Sequence, residues 1–189
     1  YDRQGANYCG RLWWMLKWLG HAHVAVLDGG FQAWQAAGGA VASGAEAPRA
    51  ATTFTVADPL VTLVGVDTVL RKLGQNHQHI IDARGAPRFR GEVEPIDPVA
   101  GHIPGALNRV FSSNLGPDGL FKPAAVLRAE FDALLGHRKP QDVVHHCGSG
   151  VSAVPNVLAM EIAGLGGTAL FAGSWSEWCS VPTRPVAQG

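Results

Sequence analysis

Cys147 stands in the run His145-His146-Cys147-Gly148-Ser149-Gly150-Val151-Ser152-Ala153, where a thiol is followed at once by small, turn-forming residues. Before it, Asp142-Val143-Val144 reads as a short buried strand. After it, Pro155 to Ile162 reads as a helix whose first turn tolerates proline. A cysteine between strand end and helix start lies where the N–H groups of a glycine-rich loop converge, with the positive end of a helix dipole behind them. Such a setting favours thiolate over thiol and stabilises an anion bound beside the sulfur. The chemistry expected of Cys147 is therefore nucleophilic. Cys9 and Cys179 precede no glycine-rich turn and read as inert core, the common fate of a cysteine.

The elements that must position this loop form an α/β pattern. Asp67 is placed to cap a helix running to Leu73 and stopped by Gly74. His79-Ile80-Ile81-Asp82 is a strand, and residues 83–105 form a long loop. Pro123 opens an amphipathic helix with Leu127, Phe131, Leu134 and Leu135 on one face, closed by Gly136. The strand into Cys147, the helix after it and a strand at Thr168 to Phe171 follow. Alternating strands and helices predict a mainly parallel sheet covered on both faces.

The first sixty residues read differently. Gly5 to Leu19 is helix-like, and Leu12, Trp13, Trp14, Met15, Leu16, Trp18 and Leu19 cover nearly its whole circumference, so burial on most sides is expected. Val24 to Leu27 reads as a short strand, followed by a brief helix ending near Gly38. Residues 39–59, rich in Ala, Gly, Ser, Thr and Pro, read as a linker. This divides the chain into 1–38, a linker at 39–59, and 60–189.

An internal repeat relates the two parts. Tyr1-Asp2, a helix, a strand, then Gly29-Gly30-Phe31 and Trp34 parallel His146-Cys147, a helix, a strand, then Gly173-Ser174-Trp175 and Trp178. Asp2 takes the place of Cys147, so the first copy lacks a nucleophile. A helix with three tryptophans cannot close a core with one strand, and apolar burial is worth roughly 25 cal/mol per Å². An upstream segment, or another chain, is expected to cover residues 1–38.

Composition excludes several classes. Of 189 residues, 47% are apolar, enough for a sizeable core, while 15 basic residues balance 15 acidic ones. No global field for nucleic acid or an anionic membrane follows. The three cysteines do not resemble a secreted disulfide framework, and neither an apolar run of roughly 18 residues nor a signal peptide is visible. A cytoplasmic protein is expected. His21/His23 and His77/His79 lack a nearby Cys or carboxylate at zinc spacing, so no metal is expected. His102 reads as a structural hydrogen-bonder, His145 and His146 as packing residues, and Trp175 and Trp178 as core or domain-interface residues.

Taken in order, these motifs resemble the two-domain rhodanese-type sulfurtransferases, the thiosulfate and 3-mercaptopyruvate sulfurtransferase family. The residues carrying the resemblance are Trp18-Leu19-Gly20-His21, Val26-Leu27-Asp28-Gly29-Gly30, Asp82-Ala83-Arg84, Arg88-Phe89-Arg90-Gly91 and Gly101-His102-Ile103-Pro104-Gly105-Ala106. The Cys147 loop and Gly173-Ser174-Trp175-Ser176-Glu177-Trp178 complete the set. The resemblance implies a rhodanese-like fold, with 1–38 the C-terminal part of an inactive domain and 60–189 the catalytic one. In this family the first domain lends an acidic residue and a histidine to the active site, and both would lie upstream of Tyr1.

The resemblance also implies roles. Cys147 would take sulfur from a donor as a persulfide and pass it to a thiol or cyanide acceptor, or to a thioredoxin-like reductant. The N–H groups of residues 148–152, hence Gly148, Gly150, Val151 and Ser152, would cradle the charge with no cofactor. Ser149 matches the family's loop serine, thought to activate the cysteine or relay a proton, with turn chemistry as its plain alternative. Thiosulfate-preferring relatives carry basic residues where Gly148 and Ser149 stand, which leaves room here for a carboxylate donor. Arg88 matches the first of two arginines that would hold that carboxylate. The second falls at Ile96, so both donors stay open, and Arg84 or Arg90 is as well explained by a salt bridge to Asp82 or a solvated role. A cysteine-dependent phosphatase would need arginine where Ala153 stands. A non-catalytic rhodanese-like binding or regulatory module is the remaining alternative.

Overall fold

The computed structural model describes all residues from Tyr1 to Gly189. Five parallel strands form one sheet in the order β1-β5-β4-β2-β3, with β1 Thr62–Val64, β2 His79–Asp82, β3 Leu107–Asn108, β4 Val143–His146 and β5 Ala169–Phe171. The helices are α1 Asn7–Trp18, α2 Gly30–Ala36, α3 Val66–Arg71, α4 Ala86–Phe89, α5 Ala124–Leu135, α6 Val154–Ile162 and α7 Ser174–Cys179.

Strand alternation sorts the core into two faces. Ile81 and Val143 join Leu127, Phe131 and Leu135 of α5 and Ala159 and Met160 of α6. Ile80 and Val144 point the other way, toward Val69 of α3 and Trp175 and Trp178 of α7. Every residue of β4 is buried, as expected of a central strand covered on both sides. No helix is long and apolar enough to cross a membrane.

Turn chemistry sets the helix ends. Pro123 is the N-cap of α5, Gly136 closes it at φ 60°, and Pro155 sits in the first turn of α6, where no N–H is needed. Gly65 rather than Asp67 is the N-cap of α3; Asp67 lies within its first turn, and the helix ends at Arg71. The 83–105 loop contains the short helix α4.

The first sixty residues depart most from expectation. Residues 24–27 form no strand, because no neighbouring strand lies beside them; Val24 and Val26 pack against the Trp13 and Trp14 cluster instead. Helix α1 buries one face only, at Gly10, Trp13 and Trp14, while Leu12 is 58% exposed and Met15 and Trp18 are also open. Within this chain α1 has one packing partner of substance, α6, where Gly10 lets Val154 and Leu158 approach. Residues 39–59 carry no regular structure and return to α1 through Ala57 N–H to the Leu19 carbonyl.

His145 and His146 are both fully buried, on opposite faces of the sheet. Neither ring nitrogen of His145 has a hydrogen-bond partner. Burial, helped by the nearby His146 and Arg109 charges, pushes the His145 pKa down from 6.5 to about 3. The unfolded chain therefore binds a proton near pH 6.5 that the folded chain refuses until about pH 3. The associated stability is present above pH 6.5 and drains away as pH falls, at roughly 1 kcal/mol per pH unit. Urea midpoints measured between pH 7.5 and 4.5 should show this slope. In His145→Leu, which strands no partner, the slope should shrink while stability at pH 7.5 holds.

Candidate active site

The cysteine loop starts where β4 ends. Cys147 N–H donates to Ser174 Oγ at 3.1 Å, and that hydroxyl donates to the Phe171 carbonyl at 3.0 Å. Trp175 N–H reaches the Cys147 carbonyl at 3.0 Å and Ser176 N–H the Gly148 carbonyl at 2.9 Å. The carbonyl side of the loop is thus tied to the start of α7. Its amide side is not: none of the N–H groups of residues 148–152 donates to an acceptor within the chain. Unpaired amides at the start of α6 are the donors an anion requires.

Gly150 makes the turn possible. Its φ is +77°, and a Cβ there would lie 2.2 Å from the Ala172 carbonyl oxygen. Only glycine passes this close to the β5–α7 backbone without distortion.

Cys147 opens on a cleft of about 240 Å³ between the C-terminal ends of β2 and β4. From β4 the chain crosses toward β5, and from β2 it crosses toward β3, so the cleft lies where the connections diverge, the usual place for a ligand in an open parallel sheet. Its other lining residues include Arg84, Arg88, Asp97, Phe111, Ser149, Ser152 and Ser176.

The cleft's guanidinium groups are already engaged. Arg84, buried, pairs with Asp82 at 2.7 Å and Glu94 at 3.3 Å, donates to the Gly101 carbonyl and lies 4.6 Å over the Trp175 ring. This is the salt bridge to Asp82 expected of it, not a surface role. Arg88 Nε and Nη2 hold Glu94 at 3.1 and 2.6 Å, and Nη2 also reaches Asp97 at 3.2 Å. The Arg88 edge suited to a bidentate carboxylate is therefore taken by Glu94, leaving Nη1, which is turned toward Gly148. Arg90 pairs with Glu92 on the surface, and Ile96 is 74% exposed at the cleft rim.

Of the residues predicted for the site, Cys147, Gly148, Ser149, Ser152 and Arg88 line this cleft together. Gly150 and Val151 do not line it; Gly150 shapes the turn, and Val151 offers its N–H and caps α6 through its carbonyl, which accepts from Val154 N–H at 3.1 Å. Sequence reasoning missed Glu94, Asp97, Ser174 and Ser176. Ser176 donates to Asp97 at 2.6 Å, a contact over 79 residues of chain that no local pattern reveals. The acidic pair flanking Ile96 was the available signal for Glu94 and Asp97. Cys9 and Cys179 are free thiols away from the cleft, and burial pushes both pKa values up. His102 is the structural hydrogen-bonder expected, with Nδ1 2.8 Å from the Phe89 carbonyl.

The first repeat contains a built-in comparison. Asp2, at the place matching Cys147, accepts N–H bonds from Gln4 and Ala6 on Oδ1 and from Tyr8 and Cys9 on Oδ2, at 2.9 to 3.1 Å. Partial burial works against ionisation of this carboxyl, but the four amides outweigh it and hold its pKa below the usual value. The matching loop of the first repeat therefore cradles an anion, and there the chain's own carboxylate occupies it.

A buried thiol at the end of a central parallel strand, beside unpaired amides at a helix start, marks a class of α/β domain with a cysteine loop at the C-terminal edge of its sheet. The family within that class follows from comparison: residues 66–181 match the Rhodanese-like domain, and the chain belongs to that family. It is 47% identical over 190 residues to a Pseudomonas aeruginosa protein named "Probable 3-mercaptopyruvate sulfurtransferase", covering 100% of this chain and 66% of the relative. It is 34% identical over 194 residues to the thiosulfate sulfurtransferase of Mus musculus, covering 100% of this chain and 64% of that protein. The chain thus spans about two thirds of the length of these relatives. In fold it resembles the anaerobic ergothioneine biosynthesis enzyme from Chlorobium limicola, at TM-score 0.84 and 22% identity over 95% of this chain and 45% of that one.

Proposed function

We propose that this chain is a sulfurtransferase unit that works through a Cys147 persulfide. The observation carrying this reading is the placement of Cys147 in the cleft beside five amides with no internal acceptor. With thiosulfate, the Cys147 thiolate forms a bond to the outer sulfur, the S–S bond of the donor breaks, and sulfite leaves with the electron pair. With 3-mercaptopyruvate, the same attack breaks the C–S bond; the carbon takes the electron pair and then the proton the thiol brought, giving pyruvate. In both cases Cys147 ends as an anionic persulfide, which the loop amides stabilise without a cofactor. Cyanide takes the outer sulfur as thiocyanate, or a thiol takes it as a persulfide, and the Cys147 thiolate returns.

The charge balance of the cleft favours 3-mercaptopyruvate over thiosulfate. Arg84 and Arg88 face three carboxylates, Asp82, Glu94 and Asp97, so little net positive charge is left for a dianion. A monoanionic donor needs less: Arg88 Nη1 for its carboxylate and the loop amides for its sulfur. Ser149, exposed at the loop tip and lining the cleft, is the residue to which this reading gives the proton relay to the leaving carbon. Residues 60–189 form the catalytic domain in this reading, 39–59 a linker, and 1–38 the end of an inactive first domain. Three free cysteines suit a reducing, cytoplasmic setting.

The test is intact-mass measurement after incubation with each donor. One added sulfur, about 32 Da, on the Cys147 peptide is expected, lost on adding cyanide or dithiothreitol. The rate with 3-mercaptopyruvate should exceed that with thiosulfate, and Arg88→Met should raise KM for the former. Absence of added sulfur from either donor would overturn the proposal in favour of a binding module.

A further inference from the structure

Two guanidinium groups and three carboxylates meet at the cleft, so one negative charge is left over, and the hydrogen bonds assign it. Arg84 holds Asp82 Oδ2 through Nε and Nη2, at 3.1 and 2.7 Å. Arg88 holds Glu94 through Nε and Nη2, at 3.1 and 2.6 Å. Asp97 has no guanidinium of its own: it shares Arg88 Nη2, at 3.2 Å, with the closer Glu94. It is also the one carboxylate among the residues that line the cleft with Cys147.

Asp97 is held in place as well. Ser176 Oγ donates to Asp97 Oδ1 at 2.6 Å, and the Asp97 N–H donates to Glu94 Oε1 at 3.2 Å. Ser176 in turn donates its N–H to the Gly148 carbonyl at 2.9 Å, so the carboxylate is in register with the cysteine loop. A surplus charge fixed in this way cannot swing out into water when an anion arrives, and a narrow cleft leaves little solvent to screen it.

We propose that Asp97 is the specificity-determining residue of the cleft: a fixed, surplus carboxylate that admits reactants carrying one negative charge or none and discriminates against dianions, on the acceptor side as well as the donor side. The inference rests on the persulfide reading for its donors and acceptors, while the charge bias itself holds for any reagent that reaches Cys147. A donor such as 3-mercaptopyruvate brings one negative charge, which Arg88 Nη1 and the loop amides can take. Thiosulfate brings two, and the second meets Asp97. Sulfur release follows the same rule, because the acceptor must approach a persulfide that is itself anionic. Cyanide and neutral thiols such as 2-mercaptoethanol pass, whereas a thiol carrying two carboxylates, such as mercaptosuccinate, is held back.

The decisive measurement compares alkylation of Cys147 by iodoacetate, an anion, and iodoacetamide, which is neutral, with peptide mapping to separate Cys147 from Cys9 and Cys179. Taken at one pH, the ratio of the two rates cancels the thiolate fraction and reads the charge of the cleft. Asp97→Asn keeps the shape and can still accept from Arg88 through its oxygen and donate to Ser176 through its amide. It should raise the iodoacetate-to-iodoacetamide ratio about five-fold, the effect of one unit charge a few ångströms away in hydrated surroundings. In sulfur loading, thiosulfate should gain about five-fold on 3-mercaptopyruvate, and as acceptor mercaptosuccinate should gain at least as much on 2-mercaptoethanol. Asp132→Asn, which removes an equal charge from the exposed pair with Arg128 on α5, should leave the ratio within about two-fold. Asp97→Ala repeats the test if the asparagine variant fails to fold. An unchanged ratio in a folded Asp97 variant, or an equal rise in Asp132→Asn, overturns the role of Asp97, whether or not sulfur transfer stands. A wild-type protein that takes up no sulfur from either donor, with the ratio still shifted in Asp97→Asn, overturns the persulfide reading and leaves the charge filter in place.

Discussion

Cys147→Ser should take up no sulfur from either donor, and turnover to thiocyanate should fall by at least about 10³-fold. Serine preserves nearly all the surroundings: a small side chain, 2% exposed as Cys147 is, with the backbone still held by Ser174 Oγ and Trp175 N–H. What it removes is the sulfur. An alkoxide at neutral pH is scarce, and oxygen cannot store a sulfane sulfur as a stable anion. Because the fold is left alone, urea unfolding of the variant should match wild type within about 1 kcal/mol. Intact mass and the cyanide assay read the first effect, and the urea midpoint checks the second. Residual sulfur on Cys147→Ser, traced to Cys9 or Cys179, would move the nucleophile elsewhere.

Gly150→Ala should damage both stability and rate. At φ +77° an alanine is strained, and its Cβ would meet the Ala172 carbonyl oxygen at 2.2 Å. That oxygen belongs to the backbone between β5 and α7, so it cannot swing aside as a side chain would. The loop must move, and with it the amides of residues 148–152. Destabilisation of roughly 3 kcal/mol follows from the strain and overlap together. A shift of the loop by about 1 Å costs on the order of 10²-fold in rate. Gly148→Ala provides the control: its nearest neighbours are the Arg88 nitrogens at 3.5 and 3.7 Å, ordinary contact, so stability should be almost unchanged. Urea unfolding and sulfur loading of the two variants side by side measure the contrast. Equal behaviour would mean that the turn is softer than its geometry implies.

The pattern of residues revealed the five-stranded part of the fold well. The runs at 79–82 and 142–144, each leading to a glycine-containing turn, read as buried strands, and β2 and β4 are adjacent and parallel in the sheet. The proline and glycine helix signals marked most helix boundaries to within a residue or two. Residues 24–27 were misread because strand character needs a partner, and none lies beside them here. Helix α1 was read as buried all round because apolar residues surround it, yet only the face toward α6 is covered within this chain.

Local chemistry by itself determined the reactive unit. A cysteine, three small residues and a helix start specify a turn, a row of amides and a thiol, all within a few residues of one another. Tertiary structure alone decided the electrostatics. Glu94 occupies the edge of Arg88 that the family resemblance assigned to substrate, and Ser176 reaches Asp97 across the cleft. Charge acts through space over several ångströms, whereas residue spacing reports only what lies nearby along the chain. The cysteine, its turn and its free amides were therefore legible in nine consecutive residues, while the balance of charge around them required the fold.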